Sequence, residues 1–309
     1  MLVHTKPYGE IDVDGLHSKD LKSFSAKSVS TRALIVVAGV WFNILLAVFV
    51  FYFLLVFNGF TSYQSLIMDY DFPFGKQQNF VMISSVADDS PAEAKGINPQ
   101  DIIVEGNKIE FRDSNEFINF IKENKGKEIE LKTKNLLTKE VRDVTIIPRV
   151  DSPENQGALG VGLNDIAELS YPSASEKITS GFLHCFNVFH YSLVGFGHLI
   201  KVSFQEISPE PITSSVMGPI GILAATDLIL KAGIFELINF LGLISVALAF
   251  FNILPIPALD GGKLLFLGIE AIRKKPISQK FEQNITTIFF ILLMLLLVLI
   301  TIKDFQRFF

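Results

Sequence analysis

"FFNILPIPALDGGKLL", residues 250–265, closes an apolar run that begins at residue 237 and meets no charge before Asp260. Pro255 and Pro257 stand just ahead of that acid. Proline has no N–H to donate and its ring clashes with the preceding turn, so a helix of this composition breaks here. In hydrocarbon the freed carbonyls find no water, and non-helical backbone persists only where protein buries it or a cavity meets it. An acid at the same place is a functional hypothesis by default. The stretch therefore predicts a membrane helix, broken near its end, that carries a site as well as an anchor.

The rest of the chain supports a membrane setting. Of its 309 residues 49% are hydrophobic and 29 are Phe. Its mean hydropathy of +0.40 is too high for an ordinary soluble protein. A net charge of −5 is mild and indicates no nucleic-acid partner. The single cysteine, Cys185, cannot form an internal disulfide. The opening residues are polar, with no secretory signal pattern, and read as the interior of a longer sequence.

Residues 33–57 and 283–302 are uncharged and long enough to cross roughly 30 Å of hydrocarbon; 237–260 is the broken third span. Residues 178–204 hold His184, His190 and His198 among aromatics, which suits a helix lying in the interface. Lys19, Lys22, Lys27 and Arg32 precede the first span, and Lys263, Arg273, Lys274, Lys275 and Lys280 lie between the last two. Three spans put both clusters on the cytoplasmic side, and four would separate them, so three is the expectation. Residues 1–32 are then a cytoplasmic or membrane-associated loop, 205–236 a membrane-associated segment and 261–282 a cytoplasmic loop. The stretch from about 59 to 236 lies outside the cytoplasm. Within it, 79–150 alternates like strands around a helix, "SNEFINFIKEN", and 151–177 reads as a linker.

Two resemblances sharpen this. "VADDSPAEAKGINPQDIIVEGNKIEF" resembles a PDZ domain through Ser90, Pro91, Ala92, Gly96, Asp101, Ile102, Ile103 and Asn107. Such domains capture extended peptides by adding a strand to a sheet edge. Asn252, Pro255, Pro257, Asp260 and Gly261 form N-x-x-P-x-P-x-L-D-G, which resembles the third zinc-ligand motif of the site-2 proteases, intramembrane metalloproteases of the regulator-of-sigma-E type. "GPIGI" at 218–222, "PYGE" at 7–10, and Gly39 with Asn43 in the first span match further family stretches in order, with Val40 where the family usually has proline.

The resemblance implies a polytopic α-helical membrane protein of the inner (plasma) membrane with an inserted extracytoplasmic α+β PDZ domain. It implies Zn²⁺ as cofactor, with Asp260 as one ligand, and it implies that Asn252, Pro255, Pro257 and Gly261 hold the substrate. The partners it implies are transmembrane proteins, such as single-span anti-sigma-factor-like proteins, and the lipid bilayer. Gly39 and Asn43, four apart, are expected to allow close helix packing. The family's His-Glu-x-x-His, two zinc ligands and a general base on one helix face, is absent from this sequence. None of His4, His17, His184, His190 and His198 is followed by Glu with a second His at i+4. No catalytic residue is therefore assigned within the chain. The expectation is a zinc metalloprotease whose gene model has lost its N-terminal helix. The rivals are a catalytically inactive relative that binds membrane helices, and a transporter, which three unrepeated spans and a PDZ domain disfavour.

Overall fold

The computed structural model describes residues 27–136, 138–153, 156–206, 217–275 and 277–308. The expectations for residues 1–26, including "PYGE", His4 and His17, lie outside the described residues. In chain order come α1 (Val29–Phe57), β1 (Thr61–Leu66), β2 (Lys76–Val86), α2 (Pro91–Ala94), β3 (Asp101–Gly106) and α3 (Ser114–Glu123). Then follow β4 (Ile129–Asn135), β5 (Val141–Ile146), β6 (Val161–Ser170), α4 (Ala174–Glu206), α5 (Pro219–Ala232), α6 (Ile234–Ile253), α7 (Asp260–Arg273) and α8 (Gln279–Phe308). They form two compact units: Leu55–Leu183, and the residues up to Leu54 together with those from His184 onward.

The Leu55–Leu183 unit is built on an antiparallel sheet of order β1-β6-β2-β3-β4-β5. Alternation assigns its faces. Val81, Ile83, Ile103, Leu131 and Ile146 join Phe111 and the Phe117, Phe120 and Ile121 stripe of α3 in the main core. Phe80, Ile102 and Ile166 form a smaller cluster with Tyr63, Met82 and Val104. Coverage on both faces explains why Ile102, Ile103 and Val104 run apolar without a break. Short helices start on side-chain caps, as the sequence pattern demands. Ser90 accepts from the Glu93 N–H at 3.1 Å and Asp113 from the Glu116 N–H at 2.9 Å. Asp101, fully buried, accepts from the Asn98 N–H, the Asn135 amide and the Arg142 guanidinium at 2.8–3.0 Å.

The sheet reaches further than the 79–150 pattern. β1 precedes it, and β6 lies inside the stretch read as a linker, paired along its length with β2. Of the Pro-, Asn- and Gly-rich stretch that suggested a linker, residues 156–160 lead directly into β6. Its own "VGLNDIAELS" carries Gly, Asn and Asp, which dilute the strand signal.

In the other unit, α1, α6 and residues 280–306 of α8 are long and apolar enough to cross a bilayer; α4 does not meet that measure. Ala47 and Phe51 of α1 meet Cys185 and Val188 of α4 and Val246 of α6 in a buried cluster. His184 is buried with its ring edge-on to Phe51 at 4.9 Å, and His190 stacks on Phe186, so both imidazoles pack against aromatics. Close approach of α1 and α6 is permitted by Gly242, where a Cβ would press on Phe51 and Val50. The sequence suggested Gly39 for that role. Among the described residues nothing lies within 4 Å of a Cβ built there, because Gly39 is on the exposed side of α1. Residues 261–282, read as a loop, begin with the amphipathic α7, tied to α1 by an Arg32–Glu270 ion pair at 2.6 Å.

Candidate metal and substrate site

The site forms where α6 stops. Pro255 and Pro257 supply no N–H, and each forces the residue before it toward extended backbone. Leu254 accordingly sits at φ −61°, ψ 139°. The Ile256 N–H turns back to the Leu254 carbonyl at 2.7 Å, and the Leu259 N–H reaches the Ile256 carbonyl at 2.8 Å. The second contact closes a β-turn with Pro257 at its first central position, the place its fixed φ suits. From α8, the Thr286 hydroxyl donates to the Pro257 carbonyl at 3.2 Å and holds the turn in place.

The turn folds back onto the first residues of α7. A Cβ on Gly261 would run into the carbonyl oxygens of Leu254 and Ile253, and one on Gly262 into the Ile256 carbonyl and the Pro257 Cα. Only glycine allows this approach. "DGG" is thus the packing surface of the break, and Gly261 is buried against its own chain.

Asp260 opens α7 directly after the extended Leu259, which offers no side-chain cap. Its carboxylate lies at the positive end of the helix, a favourable place for a negative group. It is 38% exposed, and the nearest cation is the Lys263 ammonium at 3.5 Å. Asn252, on the last turn of α6, and Pro257 are half-buried, and Pro255 is exposed. The structure therefore brings Asn252, Pro255, Pro257, Asp260 and Gly261 onto one break.

Asp260 is a suitable oxygen donor for zinc, but a zinc site needs at least three protein donors. Among the described residues no three His, Cys, Asp or Glu side chains converge. The described residues therefore do not by themselves fit the ion.

One anchoring residue was invisible in the sequence. Asp304 of α8 is buried, and its carboxylate accepts the Gly221 N–H at 2.7 Å. A Cβ on Gly218 or on Gly221 would press on that carboxylate. The "GPIGI" stretch is thus the start of α5, with Pro219 at its first turn and an acid from α8 satisfying one of its free donors. The partners lie 83 residues apart, so no local pattern announces them.

Comparison with known proteins covers nearly the whole chain. The zinc metalloprotease RasP of Geobacillus kaustophilus is 28% identical over 288 residues, 93% of this chain and 62% of that protein. The regulator of sigma-W protease RasP of Bacillus subtilis is 30% identical over 289 residues, with the same shares of the two chains. A Clostridium perfringens relative is 30% identical over 304 residues, 97% of this chain and 79% of its own. The chain spans 62% of the length of the RasP relatives. Among solved structures, the PDZ domain of an SdrC-like protein from Listeria monocytogenes matches 32% of this chain and 93% of its own at 25% identity, with a TM-score of 0.24. The model of peptidase family M50 matches residues 8–296, a stretch that takes in the first span, the sheet, the "GPIGI" turn and the broken helix with its Leu-Asp-Gly. The chain belongs to peptidase family M50.

Proposed function

We propose that the protein is an intramembrane zinc metalloprotease of site-2 type, to which this chain contributes Asp260 as one metal ligand and the α6–α7 break as the surface that holds the substrate. The observation that carries the reading is the break itself. Two prolines and two glycines hold a non-helical turn beside an acid, at the end of a helix apolar enough to cross a membrane. A substrate helix must unwind before its peptide bonds can be cut, and the break at residues 254–257, with Asn252 on the last turn of α6 ahead of it, is the surface on which this reading places the unwound form. The substrates on this reading are transmembrane proteins, anti-sigma-factor-like single-span proteins among them. The sheet unit acts as a PDZ domain outside the cytoplasm of a plasma-membrane protein. Its support is the run from Ser90 to Asn107 and a stretch of β6, residues 161–164, that has no strand on its β1 side among the described residues.

A second reading is a binder of membrane helices that does not cut them. It is favoured by the lack of three converging donors among the described residues. The test expresses the protein from its own gene in membranes and follows cleavage of a single-span reporter. Asp260→Ala is expected to lower cleavage by about 100-fold or more, at unchanged protein level, as loss of a metal donor does. Equal cleavage by the variant would remove Asp260 from the site. Reporter bound but uncut by wild type and variant alike would establish the second reading.

A further inference from the structure

A groove of about 550 Å³ runs between α1 and α7, lined by Ser30 and Ala33 of the one and by Leu264, Leu267, Gly268 and Ala271 of the other. That volume lies within the roughly 300–1,000 Å³ of ligand sites, and Ser30 is the one polar side chain along it among the described residues. Its depth comes from small side chains. Gly268 and Ala271, three apart, share one helix face, and a Cβ built on Gly268 meets nothing within 4 Å. The Arg32–Glu270 ion pair ties α1 to α7 and fixes both walls.

What surrounds the groove selects its occupant. Leu265 and Ile272 of α7, seven apart and so on one face, are exposed, Ile272 by 84%. The Lys263 ammonium is engaged by Asp260 at 3.5 Å. Arg273, Lys274 and Lys275, at the end of the helix, are all exposed and in no ion pair among the described residues. Lys27, just ahead of α1, is exposed as well. An amphipathic helix with a bare apolar face lies in a membrane surface, and a basic cluster next to a transmembrane helix attracts anionic lipid. An apolar groove beside unpaired cations matches a hydrocarbon chain that carries a phosphate.

We propose that the α1–α7 groove binds one anionic phospholipid of the cytoplasmic leaflet, with its acyl chain along Gly268 and Ala271 and its phosphate held by Arg273, Lys274 and Lys275. The inference rests on the three-span arrangement, which puts α7 on the cytoplasmic side, and not on the protease reading. A protein that cuts nothing would bind the lipid equally. Because α7 begins at Asp260, a lipid seated along it also steadies the helix that carries the candidate metal ligand.

The test titrates the full chain, in micelles of neutral detergent, with phosphatidylglycerol and with phosphatidylcholine of the same chains. Native mass spectrometry counts the lipid adducts. Phosphatidylglycerol should bind about tenfold more tightly, a preference that three cations at a lipid surface supply. Arg273→Gln, Lys274→Asn and Lys275→Gln together should bring the two lipids within about twofold of each other. Asparagine suits the left-handed backbone of Lys274, at φ 52°. Gly268→Leu fills the groove without meeting the protein, and should weaken both lipids by about tenfold without lowering the unfolding temperature in lipid-free micelles. If that variant unfolds early, Ala271→Leu, exposed on the same face, takes its place. Glycerol 3-phosphate, the headgroup without chains, should not compete at equal concentration. Equal binding of the two lipids by wild type overturns the phosphate contact. Unchanged binding by the leucine variant overturns the groove, and so does a wild-type dimer that the same substitution dissolves, since the groove would then belong to a second copy. Competition by glycerol 3-phosphate as strong as by the lipid overturns the acyl-chain contact.

Discussion

A methyl group added at Gly262 would strike the Ile256 carbonyl and the Pro257 Cα, whereas one added at Gly268, two turns along the same helix, meets nothing within 4 Å. Gly262→Ala should therefore destabilise the protein by about 1–3 kcal/mol, the usual cost of overpacking, and suppress cleavage with it. Gly268→Ala should be neutral or stabilising by about 0.5–1 kcal/mol, because alanine loses less backbone freedom in a helix. Thermal unfolding in detergent micelles decides this, and equal shifts for the two would mean that the break is not held by the Gly262 contact. The sequence already marked Asp260 and the prolines, because a proline pair and an acid in an apolar run conflict with the local rule, and the resemblance to the zinc-ligand motif added Gly261. The role of Gly261 as a packing surface was not legible. It depends on carbonyls of residues 253 and 254 returning over the helix they precede.

At the scale of the element, a helix start shows how local chemistry sets a boundary. Ser173 and Glu176 form a capping box at α4: the Ser173 hydroxyl accepts the Glu176 N–H at 3.2 Å, and the Glu176 carboxylate accepts the Ser173 N–H at 3.0 Å and its hydroxyl at 2.6 Å. The Ser173 hydroxyl, then its N–H, hold the Glu176 carboxyl below the usual carboxylate range. A carboxylate whose folded pKa is depressed adds stability that is complete above its unfolded pKa, near 4.3, and is lost as pH falls through the folded value. Glu176→Gln should accordingly lower the unfolding temperature near neutral pH, and the gap to wild type should close below about pH 4. A gap that persists at acid pH would assign the effect to packing. The start of α5 shows the limit of such reading. Its anchor, Asp304, comes from α8, and only folding brings the two together.

For the whole molecule, the placement of Lys and Arg predicts one orientation. A reporter enzyme that folds only outside the cytoplasm should be active when fused at Gly126, in the sheet unit, and inactive at Lys275, after α7. Activity at Lys275 would overturn the three-span arrangement. Composition and periodicity alone determined that the chain has three segments able to cross a bilayer, that one of them breaks, and that a sheet-forming segment separates the first from the rest. These follow from local chemistry: uncharged length, missing proline donors and alternating burial. Only the tertiary structure decided that β6 belongs to the sheet and that β1 covers part of its edge. It likewise decided that Gly242 rather than Gly39 lets two helices touch, and that Asp304 holds α5. Each of these depends on pairing between residues far apart in the chain, and strand register and helix contact faces are set by what lies opposite, which no local window of sequence contains.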